Sequence, residues 1–178
     1  MLGYINYEHN KKFEKLLPEG MINGQDTGAV RNYKYGLFSF GWCGCEIIGV
    51  YNLLSMYGSP AALSDIAREI YTYGNVLCGF FGTNVYTLAH YFKKHNIPVT
   101  TIYKKQEFLC RAQKGKYGVI SFWTGKVMMS SIHTVAYRVA ENGKVIVYNR
   151  YNGRTQDHIY DNMEAAFGKY PFIVANIM

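Results

Sequence analysis

Cys43 and Cys45 stand in the run Gly41-Trp42-Cys43-Gly44-Cys45-Glu46-Ile47-Ile48-Gly49-Val50-Tyr51-Asn52-Leu53-Leu54. There a glycine-rich polar stretch meets a long apolar segment. A thiol at a helix N-terminus meets unpaired backbone N–H groups and the positive end of the helix dipole. Both favour thiolate, the nucleophilic form. Cys45 is followed at once by the apolar periodic residues, so it is the natural first-turn residue and the favoured nucleophile. Cys43 reads as a residue of the glycine-flanked loop, a spectator or a resolving thiol. Cys78 and Cys110 read as small buried apolar residues.

A nucleophilic thiol needs a base, and histidine is the usual one. His9 lies in an undecided N-terminal segment, His90 and His95 on a lysine-rich helix, and His158 in a polar loop. These four read as solvated or structural. His133 opens a strand after the polar loop Thr124–Ser131. Alternation puts it on one face with Val135, Tyr137 and Val139, at the mouth end of an apolar surface. That position suits a cleft, and it equally suits a core histidine bonded to backbone.

The imidazole needs an orienting partner to hold one tautomer. Asn149 and Asn152, at the end of the next strand, are both available. Asn142-Gly143 is a hairpin signal, because two-residue turns of that kind need positive φ. If those two are the only turn residues, Glu141 pairs with Lys144 and His133 faces Asn152. Asn149 then faces Ala136 on the opposite side of the sheet. A one-residue bulge brings Asn149 onto the His133 face instead.

The elements that must carry these residues follow from periodicity. The segment 45–57 is apolar nearly all round, the pattern of a helix buried on most sides, and Gly58 and Pro60 stop it. Further helices are expected at about 8–17, 61–72 and 84–95, with a short one near 161–167. Strands are expected at 98–103, 117–123, 133–140, 144–149 and 171–177. The glycine-rich stretch 20–40 reads as a surface approach to the helix. Helices first and an antiparallel sheet second argue for an α+β fold. One domain over 1–178 is expected, with an approach segment at 1–40, a helical part at 41–96 and a sheet part at 97–178.

Bulk properties narrow the function. Apolar residues at 49 % against 17 % charged exclude a disordered chain, and 178 residues are enough to bury a core. The seventeen tyrosines and ten phenylalanines suggest cleft walls of large flat side chains. The net charge of +7 comes from scattered pairs without a recognition motif, which argues against nucleic acid as a partner. No leader pattern or membrane-length apolar run is visible, so a cytoplasmic protein without a membrane partner is expected. Cys43 and Cys45 are two apart, unlike CxxC metal spacing, and neither metal nor organic cofactor is expected.

The order Cys, His, Asn resembles the papain-like cysteine peptidases, and more closely the bacterial double-glycine (bacteriocin-processing) peptidases. The matching stretches are Cys45–Leu54, His133-Thr134-Val135-Ala136-Tyr137 and Val145-Ile146-Val147-Tyr148-Asn149, within roughly 33–152. The resemblance implies a papain-like fold with Cys45 as nucleophile at the head of a buried helix packed on the sheet. It implies His133 as general base and acid, and Asn149 as the orienting residue, with Asn152 as its rival. Where the family often has Gly after the Cys, this chain has Glu46. Where papain-like enzymes place an oxyanion-hole Gln, this chain has Ser39. Its only upstream glutamine, Gln25, lies twenty positions before Cys45.

The implied activity is a thiol hydrolase cleaving a peptide or isopeptide bond in a peptide or protein substrate. An acyltransferase would use the same triad. A catalytically silent fold serving as a binding or regulatory module is the other reading, favoured by Glu46 and the missing Gln. Oligomeric state is not legible.

Overall fold

The computed structural model describes residues 1–125 and 131–178, so 126–130 of the expected polar loop lie outside the described residues. The chain opens with α1 (Leu2–Lys11), followed by a hairpin of β1 (Lys34–Tyr35) and β2 (Phe38–Ser39). One helical turn, α2 (Phe40–Cys43), leads through Gly44 into α3 (Cys45–Tyr57). Next come α4 (Leu63–Gly74), α5 (Leu88–Lys94), β3 (Thr100–Ile102) and α6 (Lys105–Ala112). The rest is β4 (Tyr117–Trp123), β5 (Ile132–Val139), β6 (Val145–Tyr148), β7 (His158–Tyr160), α7 (Met163–Phe167) and β8 (Phe172–Ile177). The six later strands form one antiparallel sheet in the order β3-β8-β4-β5-β6-β7, giving an α+β architecture.

Helix α3 is buried along most of its length, as its continuous apolar run requires, and it ends where Gly58 turns left-handed at φ 81°. It lies on β4 and β5. An added Cβ at Gly49 would stand 3.1 Å from Thr134 Cγ2 and 3.3 Å from Val119 Cγ1, so glycine sets how closely the helix sits on the sheet. Val119 and Ala136 therefore join the core under α3, with residues of α4 and α5. The alternate side chains, Ile120, Phe122, Val135 and Tyr137, pack on the other face against α6 and α7. Among the described residues, no helix is long and apolar enough to cross a membrane.

Three expectations need correction. The first helix covers Leu2–Lys11, leaving only a 3₁₀ turn at Glu14–Leu16 where the sequence pointed to 8–17. Helix α6 and strand β7 have no clear periodic signal, being short and half exposed. The stretch 20–40 is not a surface approach, because Ile22, Gln25, Val30, Tyr33 and Tyr35 are all buried. Its polar residues serve as backbone partners. Asn52, inside α3, accepts from Ile22 N at 2.8 Å and donates to Ile22 O at 2.9 Å, pinning this segment across the helix.

Candidate active site

Cys45 is the first residue of α3 and is only 5 % exposed. Gly44 permits the turn from α2, since a Cβ there would fall 2.6 Å from the Phe40 ring. The Cys45 Sγ donates to Glu46 Oε2 at 3.3 Å. Burial, then the Glu46 carboxylate, push this thiol well above its ordinary pKa; a hydrogen bond from the Thr134 backbone acts the other way. The expectation that the helix N-terminus would favour the resting thiolate is thus reversed. Desolvation of a buried charge outweighs the dipole.

Glu46 is itself 4 % exposed, and burial raises its carboxyl to about 7. Cys43 closes α2, donates its thiol to Ser39 O at 3.3 Å and Tyr35 O at 3.6 Å, and is pushed up to about 12, mainly by burial. Cys78 and Cys110, expected inside, are exposed: Cys78 lies on a 3₁₀ turn and Cys110 on the outer side of α6.

His133 is the second residue of β5. Its strand partner is Phe122, and the two rings meet edge to face with centroids 6.0 Å apart. Alternation places Thr134, not His133, against α3; Thr134 Oγ1 lies 2.8 Å from Ser121 Oγ on that side. At the end of the sheet, His133 nevertheless lines the same cavity as Cys45, about 290 Å³ in volume. No hydrogen bond joins the two among the described residues.

The His133 Nε2 lies 2.7 Å from the main-chain oxygen of Asn149. A carbonyl oxygen only accepts, so Nε2 carries the proton and Nδ1 is the free base. Burial lowers the imidazole to about 4, helped by the nearby Arg150 guanidinium, so the ring is neutral at pH 7. Arg150 is buried over aromatic rings, 4.5 Å from the Tyr170 centroid and 5.0 Å from that of Phe122.

Asn149 therefore meets His133 by its backbone, where a side-chain contact was expected. The hairpin explains how it arrives there. Ala136 pairs with Tyr148 and Val139 with Val145, one residue off the two-residue-turn register. Glu141 joins Asn142 and the left-handed Gly143, at φ 79°, in a three-residue loop closed by Ala140 N donating to Lys144 O, and the continued register sets Asn149 on the His133 face. Asn149 itself takes φ 57°, a left-handed conformation in which asparagine is common. Its side chain turns away from the ring. Oδ1 accepts from Gln25 N at 3.1 Å and Nδ2 donates to Gln25 Oε1 at 3.2 Å.

Asn152 is exposed, and its Nδ2 reaches Gly41 O at 3.3 Å; it lines the cavity, and among the described residues no hydrogen bond joins it to the His133 ring. Ser39 precedes α2 and is absent from the described lining of the cavities that reach Cys45. Gln25 is present there instead, with its Nε2 donating to Gly41 O at 3.1 Å. Sequence distance hid this glutamine; its only signal was a polar residue placed among glycines.

The arrangement offers a neutral thiol, a neutral imidazole with one free nitrogen, and a buried carboxyl within reach of the sulfur. That set can carry out nucleophilic attack with proton transfer. Among the described residues, no group of three His, Cys, Asp or Glu is placed to hold a metal ion. No protein-family model matches the chain, and no curated protein matches its sequence.

Proposed function

We propose that this chain is a papain-like thiol hydrolase that cleaves a peptide or isopeptide bond through an acyl-enzyme on Cys45. One observation carries the reading. Cys45, at the head of a buried helix, and His133, with Nε2 fixed by Asn149 and Nδ1 free, line one cavity.

In the proposed cycle the thiol proton passes to His133 Nδ1 as Sγ attacks the substrate carbonyl. The C–N bond breaks, the imidazolium gives its proton to the leaving amine, and the acyl group stays on sulfur. Water then attacks the thioester, losing a proton to Nδ1, and the acid leaves as the thiol is restored. An amine in place of water would make the same site an acyltransferase. Gln25 Nε2 has a second N–H beyond the one given to Gly41, and Gln25 lines the cavity that reaches Cys45, which makes it a candidate donor for the oxyanion.

A second reading is a catalytically silent module of the same fold, favoured by the Cys45 thiol donating to Glu46 instead of to the imidazole. Alkylation by iodoacetamide, read residue by residue by mass spectrometry, separates the two. Because burial holds Cys45 protonated, fast reaction near neutral pH needs a base, and in the proposed cycle that base is His133. The hydrolase reading expects Cys45 to outpace the exposed Cys78 and Cys110 at pH 7.5, and His133→Ala to slow it more than tenfold. A Cys45 slower than both, and indifferent to His133→Ala, supports the silent module.

A further inference from the structure

A second, larger cavity of about 450 Å³ also reaches Cys45. Its walls are aromatic: Trp42, Phe80, Phe81 and Trp123. Trp42 and Phe81 are 64 % and 66 % exposed, an unusual display of large rings unless something covers them. The wall is held in place. Trp42 Nε1 donates to Phe80 O at 2.8 Å, and the Phe80 and Phe81 rings meet edge to face at 4.8 Å.

Against this apolar wall stands a single formal charge, Glu46. Its carboxyl is buried, and no lysine, arginine or histidine lies within ion-pair distance of it among the described residues. The titratable groups around it are Cys45 and Cys43 from the helix side and Tyr35 from β1, all held neutral by burial; Lys34 acts on Cys43. From the facing loop comes Gly82, at φ 66°. A Cβ there would sit 3.4 Å from Glu46 Oε2 and fill the space that glycine leaves before the carboxyl.

A buried carboxyl without a counter-ion either keeps its proton or pairs with a cation, and aromatic faces beside it favour the cation through their quadrupoles. We propose that this cavity binds a basic side chain of the substrate, with Glu46 as its counter-ion and Trp42, Phe80 and Phe81 as its cage. The proposal gives a substrate class to the site inferred above and rests on that reading. Because Oε2 is 3.3 Å from the sulfur, the basic residue lies next to the scissile carbonyl.

Thiol reagents of different charge test this on the intact protein. Aminoethyl, methyl and sulfonatoethyl methanethiosulfonates each deliver a small group to a thiol, cationic, neutral and anionic in turn. The cationic-to-anionic rate ratio at Cys45 is expected to exceed that at the exposed Cys110 by at least tenfold. Glu46→Gln should bring it down to the Cys110 value. A ratio equal to that at Cys110 in the unaltered protein, or one unchanged by Glu46→Gln, overturns the proposal.

Tryptophan fluorescence gives an independent reading that needs no nucleophile. Nα-acetyl-lysine methylamide should perturb Trp42 and Trp123 emission at concentrations where Nα-acetyl-norleucine methylamide does not. If Cys45 resists all three reagents, the nucleophile reading falls, and this titration alone decides the cation site. Equal response to the two amides overturns it.

Discussion

Asn149 holds the His133 ring with its main-chain oxygen, 2.7 Å from Nε2, while its side chain is committed to Gln25. The orienting contact thus depends on backbone conformation at Asn149, not on its amide. That conformation is left-handed, at φ 57°, and it begins where β6 ends at Tyr148. A residue without a β-carbon adopts it freely, whereas alanine pays roughly 1–2 kcal/mol.

Asn149→Gly and Asn149→Ala both lose the two side-chain bonds to Gln25, so their difference isolates the backbone term. Asn149→Gly should be the more stable by about 1 kcal/mol in urea unfolding. It should also keep His133 in its Nε2–H tautomer, visible in the ¹⁵N shifts of the ring. Alanine equal to or better than glycine would show that the carbonyl is not held by the left-handed turn.

Gln25 is buried between Asn149 and Gly41. Gln25→Ala leaves the Asn149 Nδ2 without its partner, while Gly41 O keeps the Asn152 contact. Roughly 1–3 kcal/mol of destabilisation is expected for the buried orphan donor. If Gln25 also serves the oxyanion, turnover should fall by a further factor after correction for folded fraction, with substrate KM little changed. A stability loss with unaltered kcat would confine Gln25 to bracing Asn149.

These contacts mark what was readable in the chain and what was not. Helix α3 and strands β4 and β5 were legible because a buried helix and a half-buried strand impose apolar periods on their residues. His133 and Cys45 were legible as candidates because their chemistry is rare. The shifted hairpin register that sets Asn149 beside His133 was open as an alternative, but its contact through the main-chain oxygen was not, since that depends on a left-handed backbone turn that no side-chain pattern encodes. Gln25 was hidden for a different reason. It meets Asn149 across 124 positions, through a segment whose glycines and polar residues read as solvated. The state of the thiol was misjudged because burial is a tertiary property, and here it outweighs the local helix terminus.

Close approach of α3 to the sheet makes a further prediction. Gly49→Ala would place a methyl 3.1 Å from Thr134 Cγ2. Thr134 cannot simply rotate, because its Oγ1 is bonded to Ser121 Oγ at 2.8 Å. Overpacking costs about 1–3 kcal/mol and the helix propensity of alanine returns up to about 1. A net loss of roughly 1 kcal/mol is expected. Thr134→Ser removes Cγ2 but keeps the hydroxyl, so the double variant should recover most of that loss. Simple additivity in a double-mutant cycle would mean that the two residues do not limit the helix–sheet distance.

Glu46 gives the protein a pH signature of its own. Burial raises its carboxyl from 4.5 to about 7, so the fold binds this proton more tightly than the unfolded chain does. The resulting stabilisation is present below pH 4.5 and is lost as the pH rises through 7, by up to roughly 3 kcal/mol. His133 acts in the opposite sense. Its folded value, about 4, lies below the ordinary 6.5, so its contribution is present above 6.5 and lost as the pH falls towards 4. The His133 term is common to Glu46→Gln and the unaltered protein and cancels in their difference. Unfolding free energies at pH 4.5, 6 and 8 should therefore show Glu46→Gln gaining steadily on the parent, with little change above pH 8. A difference that does not vary with pH would mean that Glu46 ionises as freely as a solvated carboxylate, so that burial beside Cys45 does not penalise its charge.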